Sequence, residues 1–313
     1  MPDYKILITD GLDERGQSIL RASASVDEKI GLTAEELIGI IAEYDALVVR
    51  GQTRVTDPII GAASRLKVIG RAGVGVDNID LESAKKHNIL VVNAPTSTTV
   101  AVAELAFGLL LAVARDIPRA DVAMKQGEWL KKQLEGVELS GKTLGIIGYG
   151  RIGIEVGKRA AAFGMNVIVY DPNVTEDELG HSDAEPVSLQ DLYAWSDFIS
   201  LHLPLNVQTR DLIGPQAFSQ MKDGVRIVST ARGGIIDESA LLGALKSGKV
   251  AAAGLDVFEQ EPPGLTELVS HPHVIATPHM GAQTAEAQSR AAEDIAREVI
   301  SALQGESVRW KVA

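Results

Sequence analysis

The first ninety or so residues alternate short apolar runs with segments in which apolar residues recur every three or four positions. The first pattern is typical of buried strands and the second of amphipathic helices. The predicted strands are Lys5–Thr9, Ala46–Arg50, Lys67–Gly70 and Ile89–Asn93, and the predicted helices are Glu14–Ala22, Thr33–Glu43 and Leu81–Lys86. Strands that alternate with helices in this way predict a parallel β-sheet.

A long helical pattern, Val100–Arg115, separates this region from a second alternating region that begins at Thr143. The predicted strands of the second region are Thr143–Ile147, Asn166–Tyr170, Phe198–Leu201, Arg226–Ser229, Ala252–Leu255 and Val274–Ala276. The chain closes with an amphipathic pattern, Thr284–Leu303, whose predicted apolar face includes Ala285 and Ile295. We expect this last helix to return to the first region.

These patterns predict an α/β protein with two Rossmann-like, doubly wound parallel sheets. A chain of 313 residues exceeds the usual size of one domain, which favours two. The first would be discontinuous and flavodoxin-like (1–98 and 284–313), and the second would span 99–283. Two domains imply a cleft between them, and we expect this cleft to close over its bound ligands.

The composition excludes several classes of partner. The net charge of −12 disfavours nucleic acids and anionic membranes. The absence of cysteine excludes disulfides and thiolate chemistry and is compatible with a reducing cytosol. The longest uncharged apolar run, Leu105–Ala114, is too short to span a bilayer, and no export signal precedes the first strand. We therefore expect a cytoplasmic protein without a membrane partner.

A glycine-rich loop follows the strand at Thr143: Gly148, Tyr149, Gly150, Arg151, Ile152 and Gly153. In a strand–loop–helix context, the first two glycines permit a tight turn and close approach of a pyrophosphate, and the third lets helix and strand pack. Asp171 ends the next strand, 23 residues after Gly148, which suits a carboxylate that binds a ribose. An acid here, with no basic residue in the two positions after it, favours NAD over NADP. It makes 99–283 the NAD-binding domain and leaves 1–98 with 284–313 as the substrate-binding domain. A glycine turn without a ligand is the alternative.

Three polar residues stand just after apolar strands of the second region, where open α/β sheets bind ligands. They are Arg232, Glu261 and His279. An arginine can hold a carboxylate through two hydrogen bonds, and a histidine oriented by a carboxylate can exchange a proton near neutral pH. Together they suit the oxidation of a 2-hydroxy acid, with the nicotinamide taking the hydride. Taken singly, each has an alternative as a surface ion pair, a solvated acid or a capped loop residue.

Motifs along nearly the whole chain carry a resemblance. They are Gly70-Arg71-Ala72-Gly73, Gly75-Val76-Asp77-Asn78, Val92-Asn93-Ala94-Pro95, Ala103-Glu104-Leu105, Gly141-Lys142-Thr143-Leu144-Gly145, the glycine loop, Ala231-Arg232-Gly233-Gly234, Asp256-Val257-Phe258 and Thr277-Pro278-His279. The chain is similar to the D-2-hydroxyacid dehydrogenases, most closely to the phosphoglycerate dehydrogenases among them.

The resemblance implies roles for individual residues. It makes Arg232 the group that binds the substrate's carboxylate and carbonyl, Glu261 the partner of the histidine, and His279 the acid/base. The cofactor positions that it implies are Val74, Gly148, Gly150, Arg151, Ile152, Gly153, Asp171, Leu203, Ala231, Asp256, Gly281 and Ala282. The substrate positions are Arg50, Gly51, Arg71, Gly73 and Lys131, the last reaching in from a neighbouring subunit.

The substrate is less well determined. Arg50 and Arg71 each end a predicted strand, and two arginines suit a phosphate in addition to a carboxylate. The favoured reaction is the oxidation of 3-phospho-D-glycerate to 3-phosphohydroxypyruvate in serine biosynthesis. The alternatives are a hydroxypyruvate, glyoxylate or D-lactate dehydrogenase and, from another class, an NAD-sensing corepressor. Glu261 argues against formate dehydrogenases, which carry glutamine beside the histidine.

Departures from the family pattern concern three positions outside the glycine loop and the end of the chain. Val74 replaces a frequent threonine, and Ser229-Thr230 replace the usual Asn-Cys or Asn-Thr. The chain stops at Ala313, so we expect it to lack the C-terminal serine-sensing domain of longer members. The family implies a homodimer or homotetramer, with the helix at Leu105–Ala114 and Trp129 as candidate contacts. No metal site is predicted. His271 and His273 are close in sequence, but two loop histidines without nearby acids are more often incidental.

Overall fold

The computed structural model describes residues 4–173 and 184–313. Residues 1–3 and 174–183, which fall within the predicted domain ranges, lie outside the described residues. The chain forms two compact units, unit 1 (Met1–Thr99 with Ala282–Ala313) and unit 2 (Val100–Gly281). In the described ranges, no helix is both long and apolar enough to cross a membrane.

Unit 1 is built on a five-stranded parallel sheet in the order β2-β1-β3-β4-β5. The strands are β1 Lys5–Ile8, β2 Ser25–Glu28, β3 Ala46–Val49, β4 Val68–Arg71 and β5 Leu90–Asn93. The helices are α1 Glu14–Arg21, α2 Ala34–Ile40 with a 3₁₀ turn Ile41–Glu43, α3 Asp57–Ala62, α4 Leu81–Lys86 and the final helix Ala285–Gln304. This strand order is that of the flavodoxin-like fold, as predicted.

Alternate residues of the central strands pack on opposite faces of this sheet. Ile6 and Val48 pack with α1 and the final helix, whereas Leu7 and Leu47 pack with α2, α3 and α4. A Cβ on Gly70 would lie 2.5 Å from Val299 Cγ2, so glycine lets the final helix lie close to β4. The prediction that Ala285 belongs to the apolar face is wrong: Ala285 is exposed, because the buried stripe starts at Ala287.

The last residues of the chain run along β5. The Val91 N–H donates to the Ala313 carbonyl (3.0 Å) and the Val312 N–H to the Val91 carbonyl (2.8 Å). Glu298, which is only 2% exposed, accepts from the backbone N–H and the Nε of Arg309 at 2.7 and 2.8 Å. A buried carboxylate on the final helix therefore fixes the segment that borders this edge strand.

Unit 2 contains a seven-stranded parallel sheet in the order β12-β11-β10-β9-β6-β7-β8. The strands are β6 Thr143–Ile147, β7 Asn166–Tyr170, β8 Ala184–Pro186, β9 Phe198–Leu201, β10 Val225–Ser229, β11 Val250–Leu255 and β12 Val274–Ala276. The helices are α5 Thr99–Arg115, α6 Ile117–Lys125, α7 Arg151–Ala162, α8 Leu189–Trp195, α9 Pro215–Gln220 and α10 Glu238–Ser247; the final helix, in unit 1, is α11. The order reverses between β6 and β9, which is where doubly wound sheets bind dinucleotides.

The predicted strands with continuous apolar runs match the structure, and the missed elements are short or polar. The β2 strand, Ser25–Glu28, contains a single apolar residue and lies at the edge of its sheet. The β8 strand, Ala184–Pro186, is also an edge strand, of three residues. Edge strands need no apolar face on both sides, so their sequences carry little periodicity.

Candidate active site

The glycine loop between β6 and α7 has the geometry that a dinucleotide site requires. Gly148 has φ +93°, and a Cβ there would lie 2.7 Å from the His202 carbonyl oxygen. A Cβ on Gly150 would meet nothing within 4 Å, whereas one on Gly153 would lie 2.2 Å from the Gly148 carbonyl oxygen. Gly148 thus forms the turn, Gly150 leaves open space, and Gly153 lets helix and strand pack.

Arg151 begins the 12-residue helix α7, so the unpaired N–H groups of its first turn point towards that open space. Asp171 follows β7 and is partly exposed. Its carboxylate accepts the Tyr149 N–H and the Asn173 N–H, both at 2.9 Å, which ties it to the glycine loop. These residues fit the pyrophosphate and ribose of NAD.

His279 and Glu261 form the central pair of the candidate site. His279 Nδ1 lies 2.6 Å from Glu261 Oε2. This contact leaves Nε2 of the imidazole for a substrate, and the ring is about half exposed. His279 has φ +49°, a left-handed conformation that non-glycine residues rarely adopt and that persists only where the surroundings hold it.

The Glu261 carboxylate is kept ionised by its neighbours. Burial raises its pKa, but the hydrogen bond and charge of His279, the Phe258 N–H at 3.1 Å and the charge of Arg232 together lower it below its ordinary value. An ionised carboxylate at Nδ1 accepts a hydrogen bond from the ring, which fixes the tautomer and orientation of the imidazole. The arrangement therefore suits a histidine that takes up a proton.

Arg232 stands beside this pair at the end of β10. Its Nη1 donates to the Ala231 carbonyl at 2.7 Å, and its positive charge reaches the Glu261 carboxylate. Arg232 and Glu261 belong to loops that follow neighbouring strands, β10 and β11. The structure therefore brings the predicted catalytic residues together within unit 2.

Asp256 holds the histidine loop. Its side chain is 1% exposed, and Oδ1 accepts the Met280 N–H at 2.8 Å and the Thr277 hydroxyl at 2.6 Å. Its Oδ2 accepts the Gly281 N–H at 2.9 Å. The residues on both sides of His279 are thereby anchored to one buried carboxylate, which accounts for the left-handed conformation of the histidine.

A second histidine also follows a strand of this sheet, but its ring is largely enclosed, with a buried Nδ1. His202 comes after β9, and its Nε2 lies 2.8 Å from the Ser200 hydroxyl. Burial lowers the pKa of His202 to about 3, so its ring is neutral at physiological pH. Of these two strand-end histidines, His279 is the one suited to proton exchange. Within 4–173 and 184–313, no group of three or more potential metal-ligating side chains occurs.

In unit 1, the loop after β3 carries Arg50 and Gly51 and is held by Asp10. The Asp10 carboxylate accepts the backbone N–H groups of Arg50 (2.8 Å), Gln52 (3.1 Å) and Thr53 (3.1 Å). Burial lowers the pKa of Arg50, and the nearby charge of Asp10 opposes this effect. The guanidinium donates to Gln283 Oε1 at 3.0 Å. Arg50 is thus fixed at both ends.

Arg71 is the last residue of β4, which pairs with β3, so both arginines lie at the carboxyl edge of the same sheet. The Arg71 guanidinium packs against Gly73, whose φ is +152° and where a Cβ would lie 1.5 Å from Nη1. The Asn93 side chain donates to the carbonyl of the next residue, Val74, at 2.7 Å. Glycine at 73 is therefore a condition for the position of Arg71.

The other predicted positions are distributed over both units. Leu203, Ala231 and Gly281 are buried in unit 2, and Ala282 is the first residue of the second segment of unit 1. Ile152 lies in the first turn of α7. Lys131 is exposed in the connection between α6 and β6.

Asp10 was not predicted as a site residue, although a sequence signal existed. It comes two residues after the apolar strand β1, and the position just beyond a strand is what singled out Arg232 and His279, each three residues after its strand. Asp256 directly follows the apolar strand β11 and was predicted as a cofactor position. That it holds the His279 loop could not be predicted, because the donors that it binds lie more than twenty residues away along the chain.

The sequence profile of the D-isomer specific 2-hydroxyacid dehydrogenase NAD binding domain matches residues 107–281. This range includes the glycine loop, Asp171, Arg232, Glu261 and His279. The chain belongs to the D-isomer specific 2-hydroxyacid dehydrogenase family. The predictions of family, fold class and NAD as cofactor are therefore confirmed.

Relatives within the family carry more than one name. The D-3-phosphoglycerate dehydrogenase of Methanocaldococcus jannaschii is 51% identical over 96% of this chain, and the chain spans 58% of that protein's length. The hydroxypyruvate reductase of Thermotoga maritima is 50% identical over 97% of this chain and 99% of its own length. The Aquifex aeolicus D-lactate dehydrogenase, solved with NAD and lactic acid, is 31% identical over 96% of both chains, with a TM-score of 0.85.

Proposed function

We propose that this chain catalyses the NAD-dependent oxidation of 3-phospho-D-glycerate to 3-phosphohydroxypyruvate, a step of serine biosynthesis, in the cytoplasm and as a homodimer or homotetramer. The observation that carries the reaction class is the His279–Glu261 pair, at 2.6 Å, beside the charge of Arg232. A base, an orienting carboxylate and a cation are the groups that the oxidation of a 2-hydroxy acid demands.

In this reaction His279 Nε2 accepts the proton of the substrate hydroxyl. NAD, when bound, supplies the acceptor for the hydride that leaves the carbon bearing that hydroxyl. Glu261 stabilises the imidazolium that forms. Arg232 binds the substrate carboxylate and polarises the adjacent oxygen. In the reverse direction His279 returns the proton to the carbonyl oxygen.

The phosphate is assigned to Arg50 and Arg71, with Gly51 and Gly73 lining their loops and Lys131 of a second subunit as a further cation. Two observations support this assignment. Both arginines lie at the same edge of one sheet, and each guanidinium is held by a neighbour rather than extended into solvent: Gln283 holds that of Arg50, and that of Arg71 packs against Gly73. Preorganised guanidinium groups bind phosphate well because less side-chain entropy is lost on binding.

A second candidate is the reduction of hydroxypyruvate. It is favoured by the 50% identity to the Thermotoga maritima hydroxypyruvate reductase, which is as high as the identity to phosphoglycerate dehydrogenases. The two functions differ in one chemical requirement. Hydroxypyruvate carries no phosphate, so its binding does not need Arg50 and Arg71.

The test measures NADH oxidation with 3-phosphohydroxypyruvate, hydroxypyruvate and glyoxylate in parallel, for the wild type and for Arg71→Ala. We expect a preference for the phosphorylated substrate, and a KM for it that rises by about 10- to 100-fold in the variant, the effect of losing a charge-assisted contact. The KM for hydroxypyruvate should change by less than about twofold, because an ordinary hydroxyl does not use this contact.

Arg65→Ala is the matched control. It removes the same charge from the opposite end of the same strand, where Arg65 pairs with Asp45 at 2.9 Å. It should leave both KM values unchanged. Equal turnover of the two substrates by the wild type, with no effect of Arg71→Ala, would assign the second function instead. No turnover of any 2-oxo acid would contradict both.

A further inference from the structure

The loop that carries Glu261 crosses directly over the loop that carries Arg232. A Cβ on Gly233 would lie 1.8 Å from the Phe258 carbonyl oxygen and 2.6 Å from the Glu259 nitrogen, so the two backbones are in contact. This contact sets the distance between the Glu261 loop and the Arg232 loop beneath it. It does not by itself prevent the loop from lifting or sliding.

One side chain holds the loop at the crossing. Glu238, the first residue of α10, accepts the Glu259 N–H on its Oε1 at 2.7 Å. Burial raises the pKa of Glu238, and the charge of Glu259 raises it further, so the carboxylate occupies this position at an electrostatic cost. The hydrogen bond from Glu259 partly offsets that cost.

Packing leaves room under the crossing. A cavity of about 10 Å³, room for a single water, lies there, lined among others by Ser229, Arg232 and Glu238. The Ser229 hydroxyl is buried and has no hydrogen-bond partner within the described ranges. Since this cavity leaves a small gap in the packing, the hydrogen bond to Glu238 acts as a directional restraint on this part of the loop.

We propose that Glu238 is a positioning residue: by binding the Glu259 N–H it fixes the Glu261 carboxylate against His279, and so sets the geometry of proton transfer. Glu238 touches neither His279 nor the space in front of it. It acts through two residues of backbone, from Glu259 to Glu261. The catalytic part of this inference rests on the proposed function.

A purely structural role is the alternative, because an acid in the first turn stabilises any helix. The chain offers a matched control in the preceding residue. Asp237 caps the same helix by accepting the Ala240 N–H at 2.9 Å. Asp237→Ala weakens α10 without removing the bond to Glu259, whereas Glu238→Ala removes that bond. Glu238→Gln keeps an oxygen acceptor of the same length and should restore the wild-type behaviour.

The first measurement is amide hydrogen exchange of the segment 257–261 in the full chain, which does not depend on any reaction. In Glu238→Ala we expect the Glu259 amide to exchange at least about tenfold faster than in the wild type, as for the loss of a hydrogen bond to a charged group. In Glu238→Gln and Asp237→Ala it should exchange at the wild-type rate. An unchanged rate in Glu238→Ala would overturn the proposal.

The second measurement is the split between kcat and KM with the preferred 2-oxo acid and NADH. Glu238→Ala should lower kcat by about tenfold or more, since small misplacements of a catalytic group are costly, while KM changes by less than about twofold. Glu238→Gln should recover most of kcat, and Asp237→Ala should retain it.

Equal losses of kcat in Asp237→Ala and Glu238→Ala would reduce Glu238 to a helix cap and overturn the proposal. A wild type that turns over no 2-oxo acid would contradict the proposed function, and the exchange rates would still decide whether Glu238 holds the loop.

Discussion

Asp10 in unit 1 and Asp256 in unit 2 both follow the second strand from one edge of their sheet. Both accept backbone N–H groups from a loop with predicted site residues. Asp10 holds the Arg50 loop through three such groups. Asp256 holds the His279 loop through two N–H groups and one hydroxyl. They differ in burial: Asp256 is almost completely buried, whereas Asp10 is partly exposed.

This difference in burial matches how accurately each loop must hold its functional side chain. A proton-transferring histidine must be held within a few tenths of an ångström of its productive position, which a buried and fully bonded carboxylate can do. A loop that binds an anion through the charge of an arginine tolerates more movement, because the attraction between charges falls off gradually with distance. We therefore expect the unit 2 loop to govern turnover and the unit 1 loop to govern substrate affinity.

The largest effect should follow from the loss of the imidazole. His279→Gln removes the acid/base, and kcat should fall by about 10²- to 10⁴-fold, the usual contribution of such a group. His271→Gln, which changes a histidine before β12 at the other end of that strand, should have no effect on kcat. Steady-state kinetics of both variants make the comparison. A His279→Gln protein that keeps full activity would exclude this residue as the acid/base.

Asp256→Asn should come next. Asparagine carries an NH₂ group in place of one carboxylate oxygen, so one of the N–H groups of Met280 and Gly281 would face a donor instead of an acceptor. The left-handed His279 beside them then loses support. We expect kcat to fall by about 100-fold, since a buried hydrogen bond to a charged group is worth about 1.5–3 kcal/mol and each 1.4 kcal/mol or so corresponds to about tenfold in rate. The control is Asp223→Asn, whose exposed carboxylate pairs with Lys249. Equal activity of Asp256→Asn and wild type would show that the loop keeps its shape unaided.

Asp10→Asn should have a smaller effect of a different kind. We expect KM for the oxo acid to rise by about tenfold, the cost of roughly one charge-assisted hydrogen bond, with kcat nearly unchanged. A fall in kcat as large as that of Asp256→Asn would remove the distinction between the two units. Initial rates over a range of substrate concentrations separate the two parameters.

The smallest effect concerns pH and Glu261. Because the folded protein lowers the pKa of this carboxyl, the group stabilises the fold at pH values above its unfolded pKa of about 4.3, and that stabilisation is lost as the pH falls through the lower folded value. The difference in the free energy of unfolding between wild type and Glu261→Gln should therefore be constant from pH 7 to about 5 and shrink below that. Urea unfolding at several pH values measures it. A difference that does not change down to pH 3 would mean that Glu261 is not stabilised as an anion.

The sequence predicted most of the fold because buried parallel strands are continuous apolar runs. Thr143–Ile147 and Phe198–Leu201 were predicted to the residue, whereas Ser25–Glu28 was missed because a polar edge strand has no such run. The position after a strand also identified Arg232 and His279. It could not identify Glu238, whose importance lies in a hydrogen bond to a loop 21 residues away. Pairings of this kind depend on tertiary distances that periodicity does not encode.

The segment that runs along β5 has a consequence for association between molecules. A parallel sheet that ends in an exposed strand offers a row of unpaired N–H and C=O groups to the strands of other chains. Here the Val91 N–H and carbonyl are both hydrogen-bonded, to Ala313 and Val312 respectively. The buried Glu298 keeps that segment in place. The outer border of β5 is thereby occupied by the protein's own backbone, and edge-to-edge aggregation through this strand is blocked.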